Sequence, residues 1–135
     1  MTSLLEELQK VRQSRRFTEE PVTDEQLETL LEVAQWTGSS RNTQPWHFIV
    51  IRDKDQLRKV SEVRGEVINW AATAPLAIAL VITAEDEISG AFDEGRVTER
   101  LMIAARMLGL GAGTVSYTHI RAHETVLELV CRLLL

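Results

Sequence analysis

Three groups of side chains have types and spacings that could do chemistry. The first is the run Arg12, Gln13, Ser14, Arg15 and Arg16 within "VRQSRRF". Arginine presents a planar fork of donors that suits phosphate or carboxylate oxygens, and glutamine and serine add neutral donors and acceptors. The same cations also suit an ordinary helix end, where positive charge complements the last carbonyls. The second group lies in "SSRNTQPWHFIVI", residues 39–51, where Asn42 and Gln44 carry carboxamides that both donate and accept. Pro45 biases Gln44 toward extended backbone. The stretch reads either as a plain helix–strand connection made of turn residues or as an edge that hydrogen-bonds a flat heterocycle. The third group is His119 and His123, whose i, i+4 spacing would let both meet a metal on a helix. Nothing elsewhere supplies a matched third ligand, and no metal site is expected.

Other candidates read more simply. "GLGAG" at 109–113 looks like a dinucleotide fingerprint but follows a helix rather than a strand, so it fails its own context test and reads as a helix stop. Glu85, Asp86 and Glu87 read as a solvated loop, with no partner for general acid–base work. His47 reads as a packed or edge residue of a strand, and Trp36, Trp46 and Trp70 as core or interface residues. No Ser-His-Asp, Cys-His or Walker-type arrangement is present, so no catalytic side chain is nominated.

These groups must be positioned by a chain of 135 residues, long enough for one domain with a modest core. A net charge of −5 and the absence of a basic stripe argue against nucleic acid or an anionic membrane as partner. The single cysteine, Cys131, excludes an internal disulfide and fits a reducing cytoplasm. Residues 1–20 lack a signal-type apolar run, and the longest apolar run, "PLAIALVI", is too short to span a bilayer. The expectation is a soluble, cytoplasmic protein.

Periodicity predicts a helix in "SLLEELQKVRQS" through Leu4, Leu5, Leu8 and Val11. A second helix starts at a Thr23/Gln26 capping box, carries Leu27, Leu30, Leu31 and Ala34 on one face, and ends before Gly38. "WHFIVIR" reads as a strand, "DKDQLRKVSEVRGEVINWAATA" as helical, and "LAIALVIT" as a strand buried on both faces. "AEDEISGAFDEG" reads as an acidic loop. "RVTERLMIAARMLGLG" reads as a helix that stops at Gly109 or Gly111. Two strands make no stable sheet, so further strands are needed from elsewhere.

"RQSRRFTEEPV", "LLEVAQWTGSSRNTQPWHFIVI" and "ERLMIAARMLGLGAGT" resemble, in order and spacing, the N-terminal part of the nitroreductase family of flavoproteins, over roughly residues 4–114. "SSRNTQPWHF" is the most specific of these motifs. The resemblance implies an α+β fold, a sheet flanked by helices, with FMN held at the subunit interface of a homodimer. It implies that Arg12, Gln13, Ser14 and Arg15 lie along the stretch that meets the flavin phosphate and ring, and that Asn42 stands at the family's flavin-contacting asparagine, with the choice between Asn42 and Gln44 as the flavin-edge amide left open. The family more often has arginine where Val11 stands and serine where Gln13 stands, so Ser14 or Arg16 would serve through a small shift. The implied activity is a ping-pong transfer of hydride from NAD(P)H through FMN to a small-molecule oxidant such as a nitroaromatic or quinone. Dehalogenating and dehydrogenating relatives leave the substrate open. Two alternatives stand beside it: a flavin-binding or dimer-forming protein without turnover, and an inactive truncated chain.

The last segment, "VSYTHIRAHETVLELVCRLLL", residues 115–135, changes character. It resembles the conceptual translation of a transposon-based sequencing-library adapter, with "VSYTH.RAHET" and "LVCRLLL" as its constant parts. Residues 1–114 are then a partial, C-terminally truncated nitroreductase-like domain and 115–135 a non-native tail. Without the strands such a domain would contribute later, "LAIALVIT" would keep an unpaired edge, FMN would bind weakly and the chain would tend to associate.

Overall fold

A computed structural model describes residues 3–62, 70–116 and 129–134. The first helix, α1 (Leu4–Gln9), opens on a reciprocal capping box between Ser3 and Glu6. It closes early. The Arg12 Nη1 donates to the carbonyls of Gln9 at 2.6 Å and Val11 at 2.7 Å. The helical pattern that continues to Val11 in the sequence gives way to extended chain because residues 13 and 14 pair with another segment. Gln13 bridges Ala112 in parallel, and the Ser14 N–H donates to the Ala112 carbonyl at 2.8 Å.

Helix α2 (Asp24–Gln35) starts at the expected Thr23/Gln26 capping box and buries Leu30 and Ala34. A loop leads into β1 (Trp46–Ile51), followed by α3 (Lys54–Glu62) and β2 (Ala77–Ile82). The part of the predicted third helix that includes Gly65 lies outside the described residues. Helix α4 (Glu87–Met107) has 21 residues and replaces most of the loop expected at 84–95. Asp86 caps its N-terminus by accepting from the Ser89 N–H at 2.8 Å. The periodicity was masked there because the first inward-facing positions of α4 are Gly90 and Asp93 rather than aliphatic residues. The helix gives way at Gly109, whose φ of +76° suits a residue without Cβ.

Two further strands, β3 (Gly113–Ser116) and β4 (Leu129–Leu134), complete an antiparallel sheet in the order β1-β2-β4-β3. Both sides of β2 are therefore paired, to β1 and to β4. The expected unpaired edge is filled by residues 129–134, a segment whose apolar, β-prone composition lets it take a central position. Gln13 and Ser14 extend the sheet beyond β3.

β2 is buried along its whole length. Ile78, Leu80 and Ile82 pack with Leu30 and Ala34 of α2 and Val97, Leu101 and Ala105 of α4. The opposite face presents the small Ala77 and Ala79 to Leu57, Ala71 and Ala74. Large residues on one face and alanines on the other set how closely each helical layer approaches. Trp46 is buried, Trp70 stacks on Phe17 at a ring separation of 6.1 Å, and Trp36 is 76% exposed. The core reading of Trp36 therefore fails, because α2 ends at Gln35 and leaves the indole beyond the packed face. Among the described residues no helix is long and apolar enough to cross a membrane.

Candidate functional site

The carboxamide pair sits in the connection between α2 and β1, and its backbone is unusual. Ser40–Asn42 form a 3-10 turn, with the Asn42 N–H on the Ser39 carbonyl and the Thr43 N–H on the Ser40 carbonyl, both at 3.1 Å. Arg41, Asn42 and Gln44 have φ of +52°, +55° and +50°. Left-handed backbone is tolerated by asparagine but disfavoured for arginine and glutamine, at roughly 1 kcal/mol or more each. The extended geometry expected of Gln44 before Pro45 is thus not adopted. The loop must turn back on itself so that the Gln44 N–H reaches the Ser39 Oγ at 2.8 Å, and that closure outweighs the pre-proline preference. On the far side the Pro45 carbonyl accepts from the Thr83 N–H at 2.7 Å, which ties the loop exit to the end of β2.

Helix α4 supplies the remaining restraints. Asp93, 1% exposed, accepts the Ser40 N–H on both carboxylate oxygens, at 3.1 and 3.0 Å. The Arg96 Nη1 lies 3.4 Å from both Asp93 Oδ1 and the Gly38 carbonyl, and the Arg100 Nη1 donates to the Trp36 carbonyl at 3.1 Å. One helix face thereby holds three backbone groups of, or leading into, the strained turn: the Ser40 N–H and the Gly38 and Trp36 carbonyls.

Held this way, Gln44 donates from Nε2 to the Asn42 Oδ1 at 3.0 Å, so the nominated amides are brought together on an exposed rim. Beside them lies a cleft of about 560 Å³ whose walls include Arg41, Gln44, His47, Thr83, Asp86 and Ser89. The Ser89 side chain and backbone N–H, with Arg41 nearby, hold the Asp86 carboxyl below the usual carboxylate range. His47 stands exposed on β1, as an edge residue.

The amino-terminal group is arranged differently. Gln13 is occupied at both ends of its carboxamide: Oε1 accepts the Thr114 N–H at 2.7 Å and Nε2 donates to the Thr114 Oγ1 at 2.6 Å. Arg12 spends Nη1 on backbone carbonyls, and with Ser14 it borders a hollow of about 200 Å³ that also meets Lys10 and Arg106. Arg15 is exposed and borders neither of these two cavities. Among the described residues the structure therefore joins Asn42 to Gln44 and sets Arg12 and Ser14 on one hollow, and that hollow shares no lining residue with the cleft beside Gln44. His119 and His123 lie outside the described residues. Sequence reasoning missed Asp93, Arg96, Arg100 and Thr114. The one available signal was an aspartate standing four residues before Val97 on the buried stripe of a helix, where an aliphatic side chain would normally stand.

Residues 9–69 match the sequence profile of the Nitroreductase family. An "FMN reductase [NAD(P)H]" of Bacillus subtilis is 31% identical over 152 aligned residues, covering 96% of this chain and 60% of that protein. The solved structure of NfrA2 from B. megaterium superposes with a TM-score of 0.80 at 29% identity, over 99% of this chain and 65% of that one. An FMN-dependent nitroreductase from Clostridium difficile R20291 superposes with a TM-score of 0.83 at 23% identity, over 95% and 83%. The chain spans about three fifths of the length of the curated relatives it matches. The three sequence motifs, the profile matched over residues 9–69 and the α+β fold agree in the chain's similarity to the nitroreductase family.

Proposed function

We propose that the protein is an FMN-dependent oxidoreductase that draws hydride from NAD(P)H and delivers electrons to a small-molecule oxidant, a nitroaromatic or quinone, in a ping-pong cycle. The observation that carries this reading is the carboxamide rim. A chain that matches the family profile keeps Asn42 and Gln44 side by side on a turn with left-handed backbone at both residues. The Asn42–Gln44 hydrogen bond uses one acceptor and one donor of the pair. Asn42 Nδ2 and Gln44 Oε1 remain as a donor and an acceptor, the complement required by the alternating C=O and N–H groups along an isoalloxazine edge.

Bound FMN would supply the redox chemistry itself, accepting hydride from one substrate and passing electrons to the next. The chain's own residues bind and orient. Asn42 and Gln44 would meet the ring edge. Arg15, with the remaining donors of Arg12, would meet the phosphate as charge-assisted bonds. Ser14 would add a hydroxyl. Gln13 fits this task poorly in the present arrangement, since Thr114 already engages both ends of its carboxamide. Arg12 and Ser14 border one cavity and Gln44 another, which supports a homodimer in which one copy supplies the arginines and the other the amides.

The test is purification of the full-length gene product with ample riboflavin. A yellow protein that retains FMN and oxidises NADH or NADPH with menadione or a nitrofuran, with parallel double-reciprocal lines, is expected. A colourless protein that takes up no added FMN would overturn the proposal. Retained FMN without turnover would favour the non-catalytic flavin-binding alternative. We further infer that residues 115–135 are foreign to the native gene. Genomic DNA read past codon 114 should continue with additional strand patterns in place of the adapter-like segment, and recovery of the same tail from native DNA would refute this.

A further inference from the structure

We propose that Asp93 is a positioning residue for the cofactor-facing loop, holding Ser39–Gln44 in the conformation, left-handed at Arg41, Asn42 and Gln44, that pairs the Asn42 and Gln44 amides; the ligand part of this proposal rests on the flavin reading above. Asp93 occupies an inward slot of α4 between the buried Gly90 and Val97, where an aliphatic residue would pack. A carboxylate at such a slot needs partners to offset its desolvation. Both of its oxygens accept a single backbone N–H, that of Ser40, and its nearby cation, Arg96, also reaches the Gly38 carbonyl of the same connection. The buried charge is thus directed at the loop backbone.

The loop has reason to need it. Arg41, Asn42 and Gln44 all lie at positive φ without a glycine among them. Local restraints are the Ser39 Oγ on the Gln44 N–H and the Thr43 Oγ1 on the Ser40 carbonyl, both made within the turn itself. Asp93 instead fixes the first residue of the turn to a helix that packs on α2 and β2. Freed from that anchor, Arg41 and Gln44 would relax toward negative φ. A relaxed Gln44 would no longer present its Nε2 to Asn42, and the donor–acceptor pattern of the rim would be lost.

The experiment uses the full-length protein and the variant Asp93→Asn, which keeps the shape and one carboxamide oxygen but removes the charge and the second acceptor. Trypsin cleavage after Arg41, followed by mass spectrometry, reads loop opening directly. Cleavage should accelerate about tenfold or more, the factor equivalent to ~1.4 kcal/mol, and FMN should bind more weakly by a similar factor. The core variant Leu101→Ala, which lowers stability without touching the loop, should not accelerate this cut selectively. Amide exchange of Ser40 in the unmodified protein gives a second reading that needs no variant: its N–H should be protected well beyond an ordinary surface turn. Unchanged cleavage in Asp93→Asn, or exchange of Ser40 at free-loop rates, would overturn the proposal. If Asp93→Asn opens the loop yet leaves FMN affinity unchanged, the anchor stands and the flavin reading of the loop is refuted.

Discussion

Replacement of Gln13 by alanine separates a structural role for this residue from a cofactor-contacting one. In the structure Gln13 acts as a side-chain extension of the sheet, with Oε1 on the Thr114 N–H at 2.7 Å and Nε2 on the Thr114 Oγ1 at 2.6 Å. Each such bond contributes roughly 0.5–1.5 kcal/mol net. Gln13 is exposed and Thr114 half-buried, so water can reach the groups that alanine leaves behind. Alanine also recovers part of the side-chain entropy that glutamine loses on ordering, up to roughly 1.5–2 kcal/mol. The expected loss is therefore about 1 kcal/mol, toward the low end of the two-bond sum. Urea denaturation followed by circular dichroism should show a lower midpoint with an unchanged slope. Unchanged stability in Gln13→Ala together with loss of FMN binding would refute this reasoning and make Gln13 a ligand contact.

Thr37 is 5% exposed and its Oγ1 has no hydrogen-bond partner among the described residues; Thr37→Val should stabilise the protein by about 1 kcal/mol in the same assay, and a loss instead would mean the hydroxyl has a partner. A Cβ at position 113 would overlap the Ser14 carbonyl oxygen and lie 3.0 Å from Trp70 Cζ3. Gly113→Ala should cost about 2–3 kcal/mol as the amino-terminal segment is forced off β3, and wild-type stability would contradict the close approach. The folded-state pKa of Asp86 is lowered by the Ser89 side-chain and backbone hydrogen bonds, so its contribution is complete above the unfolded carboxyl value near pH ~4 and fades as pH falls through the lower folded value. The stability difference between wild type and Asp86→Ala should shrink as pH falls below about 4. A difference independent of pH would show that the charge of Asp86 contributes nothing.

The elements whose stability is written in local chemistry were legible before any fold was seen. Thr23 and Gln26 announced the start of α2, Gly109 its counterpart at the end of α4, and the unbroken apolar run of β2 its burial on both faces. Each depends on interactions within a few residues or on composition alone. The amide pair was legible too, because "SSRNTQPWHF" is a contiguous motif. What the tertiary structure alone decided was what each polar group spends its hydrogen bonds on. Gln13 reaches Thr114, 101 positions away, and Asp93 reaches Ser40 across 53 positions. No spacing rule along the chain predicts such pairs, because they exist only once the sheet brings the amino-terminal segment beside β3 and packing brings α4 beneath the loop. The first turns of α4 were hidden for the same reason. Glycine and aspartate replace the expected hydrophobes there, and the burial of Asp93 is offset by a contact that a linear pattern cannot contain.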